Sequence, residues 1–387
     1  MEEQSMQVKT ESELQSAIES ISDAEILAID TEFMREKTYY PLLCLVQIAT
    51  ESTSFIIDPL AVKDLTPLAS VLTSPKTVKV LHASRQDREM LFNACGVVPS
   101  PIFDTQLAAP LLGLQQQIGL KALVEEILGV RLSKRDSLSD WSKRPLSKSQ
   151  IEYSLDDVRY LVPLYREMCK RLDDLGRRHW LDSEFEALGE DSEFGTPESE
   201  LWSKVKKTNS LSRAQLACAQ GIAVWRENCA KRSNIPRRWI LQDELIVELS
   251  RRQPKSVDEV YEIRGAKEKL NTGRAREIVK VIETALASDP DTWPKHATRR
   301  PTAANADAMV DLLTAFLRTR AKENMLTHQV LATHDDLIAF VSGQRAGLDI
   351  LKGWRYEIAG RDMLEILEGR ISLRIEDGNI SISRADG

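Results

Sequence analysis

The chain has 387 residues, 42% of them hydrophobic and 29% charged, with a net charge of −7. That length exceeds one ordinary core and points to two or three domains of globular composition. No run reaches the ~18 apolar residues of a membrane span, and the opening Met1-Glu2-Glu3-Gln4 lacks the basic and apolar regions of a secretory signal, so a cytoplasmic protein without membrane contact is expected.

Strand and helix signals alternate through the first ~180 residues. Ile26–Ile29 reads as a short buried strand, and Leu43–Ala49 and Phe55–Ile57 follow at hairpin-like distances, so the three form a meander. A helix is expected over Leu65–Leu72, a fourth strand over Val78–Leu81 and a helix over Arg88–Cys95. Ile102–Phe103 is a fifth strand, and Asp104 caps a helix over Thr105–Leu112. Helices then run over Leu120–Leu128 and Lys148–Leu175. This order describes an α/β domain with a mixed five-stranded sheet.

The stretch from Asp182 to Glu200 holds eight acids, no Lys or Arg, two Gly and one Pro, which is a linker composition. Beyond it two segments resemble each other at an offset of 91–92 residues: Trp225-Arg226-Glu227 with Ala230-Lys231, and Phe316-Leu317-Arg318 with Ala321-Lys322. A duplicated helical module is expected, joined by a linker between Asp289 and Pro301. The domain boundaries implied are 1–181, an acidic connecting segment 182–210, a first helical module 211–293, a linker 294–302 and a second module 303–387.

Charge is unevenly divided. Residues 1–210 carry 24 Lys+Arg against 34 Asp+Glu, whereas 211–293 carry 15 against 12. A basic footprint for a polyanion therefore falls in 211–300. The five cysteines, Cys44, Cys95, Cys169, Cys218 and Cys229, are scattered without C-x-x-C spacing and read as reduced thiols.

Four carboxylates carry the chemistry. Alternation along a strand puts Asp30 and Glu32 on one face. Helical spacing puts Tyr153 and Asp157 together and turns Asp156 about 100° away. Asp87 lies just past the fourth strand, near a helix start. An all-oxygen cluster of this kind suits Mg²⁺ or Mn²⁺. Two such ions ~3.5–4 Å apart serve phosphodiester hydrolysis. Tyr153 is placed to orient the attacking water, but with a pKa normally ~10 it makes a poor base.

These motifs resemble the ribonuclease D branch of the DEDD 3′→5′ exonucleases over residues 26–175. The resemblance rests on Ile29-Asp30-Thr31-Glu32-Phe33, on His82-Ala83 followed by Asp87, and on Tyr153 with Asp157, the tyrosine variant of the family. Phe103-Asp104-Thr105-Gln106-Leu107-Ala108, Ser139-Asp140-Trp141 and Arg144-Pro145-Leu146 fit as well, while Ser154-Leu155 departs from the small residues common there. The resemblance implies a ribonuclease H-like fold, metal ligation by Asp30, Glu32, Asp87 and Asp157, and positioning of the nucleophile by Tyr153. Residues 211–293 resemble a helicase-and-RNase-D C-terminal (HRDC) domain, through Trp225-Arg226-Glu227, Ala230 and Pro236-Arg237-Arg238, and 303–387 resemble a diverged second copy. The implied activity is 3′→5′ exoribonuclease action on RNA 3′ ends such as those of tRNA precursors. A monomer would use two divalent ions and release nucleoside 5′-monophosphates. A 3′→5′ DNA exonuclease and a non-catalytic binding scaffold are the rival readings.

Five further residues are substrate-binding candidates. Arg237, Arg238 and Trp239 combine phosphate contacts with an aromatic platform, or form a basic turn over a packed Trp239. His82 approaches substrate or packs at a strand end. Arg144 clamps a phosphate or forms a salt bridge. The helical modules are expected to supply binding and to be separable from the chemistry, with the basic first module giving the salt sensitivity.

Overall fold

The computed structural model describes residues 4–35, 37–132, 139–190, 194, 196–296 and 305–384. Much of the expected 294–302 linker, with Arg299 and Arg300, lies outside them. The chain divides into two compact units. One comprises Met1–Glu32, Leu43–Asp191 and Arg299–Gly387, and the other Phe33–Leu42 and Ser192–Thr298.

The first unit opens with strand β1 (Gln4–Val8) and helix α1 (Glu11–Ile21). Thr10 caps α1 through a reciprocal pairing with Glu13, and Leu14, Ala17, Ile18 and Ile21 form its buried stripe. Strands β2 (Ile26–Met34), β3 (Leu42–Ala49) and β4 (Thr53–Ile57) follow. Next come α2 (Ala69–Leu72), β5 (Val78–Leu81), α3 (Arg85–Cys95), β6 (Ile102–Asp104), α4 (Thr105–Ala108) and α5 (Leu120–Leu128). The sheet order is β1-β4-β3-β2-β5-β6, with β3 antiparallel to β4 and with β1/β4, β2/β5 and β5/β6 parallel. The mixed sheet thus has six strands rather than the five expected. The sixth is the edge strand β1, which carries too short an apolar run to announce itself.

The helix expected over Lys148–Leu175 is two helices, α6 (Lys148–Arg159) and α7 (Leu161–Asp174), separated at Tyr160. Pro163 explains the break: it has no N–H to give the Arg159 carbonyl, and its ring clashes with that group. The acidic stretch expected as a linker begins with α8 (Asp182–Leu188), whose Leu188 is buried and whose last carbonyl accepts from the buried Arg88 guanidinium at 2.6 Å. That portion is a packed element, because apolar Phe185 and Leu188 interrupt the acids.

The second unit holds α9 (Arg213–Ser233), α10 (Arg237–Ile240), α11 (Asp243–Arg252), α12 (Val257–Tyr261), α13 (Ala266–Lys269) and α14 (Thr272–Ala287). Gly221 lets α9 approach α14 closely, since a Cβ there would lie 2.8 Å from Val281 Cγ1. Trp225 donates to Glu277 at 2.6 Å, and buried Arg226 pairs with Asp243 at 2.7 Å. The segment that follows Glu32 packs in this unit: Tyr39 donates to Glu227, and the Tyr40 amide donates to Asn234 at 3.0 Å.

The chain returns to the first unit with α15 (Ala306–Glu323), α16 (His328–Leu331), α17 (His334–Val341), α18 (Gly353–Arg355) and α19 (Arg361–Leu367), ending in a hairpin of β7 (Ile371–Glu376) and β8 (Asn379–Arg384). α10 and α16 begin 91 residues apart, as do α11 and α17. Leu317, at that offset from Arg226, is fully buried, so apolar packing stands where the other module has an ion pair. Val310, Phe316, Phe340 and Met363 join one continuous apolar cluster with Val124, Val162 and Met168 of the nuclease helices. Trp354 stacks on Trp180 at 4.6 Å and donates to its carbonyl at 2.9 Å, and Arg355 pairs with Glu184 at 2.7 Å. The expectation that both helical modules separate from the nuclease therefore fails for the last one, which shares its core. Among the described residues no helix is long and apolar enough to cross a membrane, and all five cysteines are buried and free.

Candidate active site

β2 delivers Asp30 and Glu32 from one face, and α6 delivers Tyr153 and Asp157 from successive turns. The carboxylates of Asp30, Glu32 and Asp157 converge, with ligand oxygens all within 4.8 Å of one another. Asp87 enters from the first turn of α3, where Thr31 Oγ1 donates to its Oδ1 at 2.5 Å. Its charge still acts on Asp30 and Glu32. Of the four expected carboxylates, three converge and the fourth is held beside them by the residue between Asp30 and Glu32.

The electrostatics of this cluster are those of a cation site. Burial first, then the charges of Asp87, Asp157 and Glu32, hold Asp30 well above the usual carboxylate range. Burial, then Asp157 and Asp87, push Glu32 up to about 8. Burial raises Asp87 to about 7 against the hydrogen bond from Thr31, and raises Asp157 to about 7 against the attraction of Lys121. Crowded buried carboxylates that resist ionisation gain most from a hard cation, and all the donors are oxygen. The residues present fit a divalent ion of the Mg²⁺ or Mn²⁺ class.

Tyr153 hydrogen-bonds to Asp157. Burial and the surrounding carboxylates push its phenol upward, so it remains protonated. Its ring has two close neighbours, with the Trp141 centroid at 5.9 Å and Lys121 Nζ at 4.7 Å from its own centroid. Asp156 turns away and pairs with Arg159 at 3.1 Å.

The remaining candidates are placed differently. Arg144 forms a bidentate pair with Asp58 at 2.6 and 2.7 Å and donates to the carbonyls of Trp141, Lys143 and Cys44. Its donors are committed to the fold, which corrects the expectation of a phosphate clamp. His82 Nδ1 meets Thr105 Oγ1 at 2.8 Å just past the ends of β5 and β6, and burial lowers its pKa. In the second unit Arg237 pairs with Glu227 and lies over the Tyr39 ring at 5.1 Å. Arg238 is exposed, and Trp239 is 58% exposed rather than packed.

Sequence reasoning missed three supports. Thr31 orients Asp87, and nothing in a D-T-E run signals a contact 56 residues away. Asp104 caps α4 as expected, yet also accepts from the amides of Ala83 and Ser84 at 3.2 and 2.8 Å. It thereby holds the turn before α3, where Ala83 adopts a φ of 56°. Lys121 was also missed, since no motif contains it.

Residues 6–173 match the family model of a 3′-5′ exonuclease, and residues 215–282 match that of the HRDC domain. A ribonuclease D of Bartonella henselae is 36% identical over 372 residues, covering 95% of this chain and 91% of the relative. One of Sphingobium indicum is 37% identical over 371 residues, covering 94% and 95%. The crystal structure of Escherichia coli RNase D, an exoribonuclease involved in structured RNA processing, superposes with a TM-score of 0.82 at 25% identity, covering 95% of this chain and 99% of that one. The catalytic core of RRP6 from Trypanosoma brucei shares the fold, with a TM-score of 0.55 at 21% identity, covering 74% and 80%.

Proposed function

The chain belongs to the ribonuclease D family of 3′→5′ exoribonucleases, and we propose that Asp30, Glu32, Asp87 and Asp157 hold two divalent cations, Mg²⁺ or Mn²⁺, against the last phosphodiester of an RNA 3′ end. The observation that carries this reading is the convergence of Asp30, Glu32 and Asp157 within 4.8 Å. When bound, the cations activate water and neutralise charge on the leaving 3′ oxygen. The chain's own residues do the rest. Asp30 and Glu32 project from one rigid strand, so their separation is set by the sheet. Thr31 orients Asp87 through its hydroxyl. Tyr153, kept as a phenol, orients the attacking water and takes no proton from it. Water adds to phosphorus, the bond from phosphorus to O3′ breaks, and the proton ends on O3′. The products are a nucleoside 5′-monophosphate and an RNA one residue shorter.

Structured RNAs with 3′ extensions, such as tRNA precursors, are the proposed substrates of a cytoplasmic monomer. Residues 211–293, with Arg238 and Trp239 exposed on α10, supply phosphate and base contacts to the RNA, and 303–387 are a diverged HRDC copy. The test is incubation with matched 3′-tailed RNA and DNA in Mg²⁺ or Mn²⁺, with products read at nucleotide resolution. Stepwise shortening of RNA with release of 5′-monophosphates is expected. Equal rates on DNA would replace the substrate, and no shortening of either would leave a binding scaffold.

A further inference from the structure

Lys121 belongs to none of the motifs that define the acidic centre, yet its charge attracts Asp157 and, after that of Arg159, also Asp156. It is the second residue of α5, directly after Leu120 and the extended Gly119 cap. Gly129, at a left-handed φ of 70°, ends that helix, and Leu123, Val124 and Ile127 bury its inner stripe against α7. The backbone of Lys121 is therefore set by packing that does not involve the site. From there its side chain is only partly exposed, and Nζ lies 4.7 Å from the centre of the Tyr153 ring.

We propose that Lys121 is a positioning residue for the reaction, holding the Tyr153 ring against Trp141 so that the phenol keeps one orientation at the water. This rests on the role given to Tyr153 above. The geometry supplies two restraints of different kind. Trp141 is 2% exposed, and its ring stands 5.9 Å from that of Tyr153 at an interplanar angle of 40°, forming an apolar wall. Lys121 supplies an electrostatic contact with the π face, which is attractive only while the ammonium is over the ring. A Tyr side chain has two soft torsions. A wall alone leaves the ring free to swing away from it, whereas wall and cation together restrict both.

The test uses the full-length chain with saturating Mg²⁺ and a short unstructured RNA under single-turnover conditions. Lys121→Met keeps the length and apolar stem of the side chain and removes the charge. It should slow the saturated rate by roughly 3- to 30-fold, the factor that corresponds to the range of a cation–π contact, while RNA affinity stays within about twofold. Lys121→Arg, which keeps a cation over the ring, should recover most of the rate. In a Tyr153→Phe background the loss should shrink, because the hydroxyl whose orientation matters is gone. A weakened affinity with an unchanged saturated rate would overturn the proposal and make Lys121 a substrate contact. So would a loss of equal size in the Tyr153→Phe background, or no recovery with Arg. Tyr153→Phe alone tests the tyrosine assignment, so its failure is distinguishable from that of the lysine.

Discussion

Replacing Arg144 should damage stability and leave RNA affinity alone. The guanidinium is 24% exposed and Asp58 8% exposed, and they form a bidentate pair. Three backbone carbonyls, one of them 100 residues away at Cys44, take the other donors. Burial pushes Asp58 up, but the hydrogen bond and charge of Arg144 outweigh it and leave the carboxyl below its ordinary value. Arg144→Met removes the ion pair of that carboxylate and the guanidinium donors of the carbonyls. Breaking a buried pair in this way costs about 3–5 kcal/mol. At roughly 2 °C per kcal/mol for a large domain, that is a fall in Tm of about 6–10 °C. Arg144→Lys should lose less, because one point charge replaces the fork but still faces Asp58. The contribution also has a pH signature. Asp58 is lowered in the folded state, so the stability it confers is present above its unfolded pKa and is lost as pH falls through the folded one. The gap between parent and Arg144→Met should therefore narrow below about pH 4. Thermal and urea unfolding, run beside RNA binding, give the answer. A variant as stable as the parent that binds RNA more weakly would refute the structural assignment and restore the phosphate clamp.

Asp157→Ala should lower turnover by orders of magnitude and Asp156→Ala should be mild, because the latter faces Arg159; equal activities in a nuclease assay would mean the wrong carboxylate was chosen. Tyr153→Phe should fold and bind metal normally but slow the single-turnover rate by ~10²-fold, the order of loss when a reacting group is misplaced. With divalent ions chelated, the folded site keeps protons that the unfolded chain has released, since Glu32 sits at about 8 and Asp87 and Asp157 at about 7. Stability should then fall as pH rises from about 4 to 8, and added Mg²⁺ should raise Tm more at pH 8 than at pH 5.5; an equal rise at both would count against the cluster as its site. Trp354→Ala should cost roughly 1–3 kcal/mol by thermal unfolding, less than a fully buried aromatic because Trp354 is only partly buried against the nuclease core; full stability would show that the module is separable after all.

The parts of the fold that were legible in the sequence had local causes. α5 ends at Gly129, which takes a left-handed φ of 70° that glycine permits. β5 is a bounded apolar run with its ends as expected. The Thr10 and Glu13 capping box was equally local and would have revealed α1. Pro163 could have divided α6 from α7 on steric grounds alone. Other features depend on partners that only the folded chain brings together. Nothing near Arg144 names Asp58, 86 residues earlier, as its partner. Nothing in Asp104 beyond its cap predicts its grip on the Ala83 turn. The metal-ligand candidates were readable because strand and helix periodicity place them, whereas Thr31, Trp141 and Lys121 act through contacts that periodicity does not encode.

The central claim is that these carboxylates place divalent cations on the scissile phosphate. Sulfur substitution of a non-bridging oxygen in the last phosphodiester of a short RNA tests it directly, because sulfur is a poor ligand for hard Mg²⁺ and a better one for Mn²⁺. The account predicts that one phosphorothioate diastereomer is removed much more slowly than the parent phosphate in Mg²⁺, and that Mn²⁺ restores most of the lost rate. Equal rates for sulfur and oxygen in both metals would contradict it, and the acidic cluster would then need a role other than holding metal at the reacting phosphate.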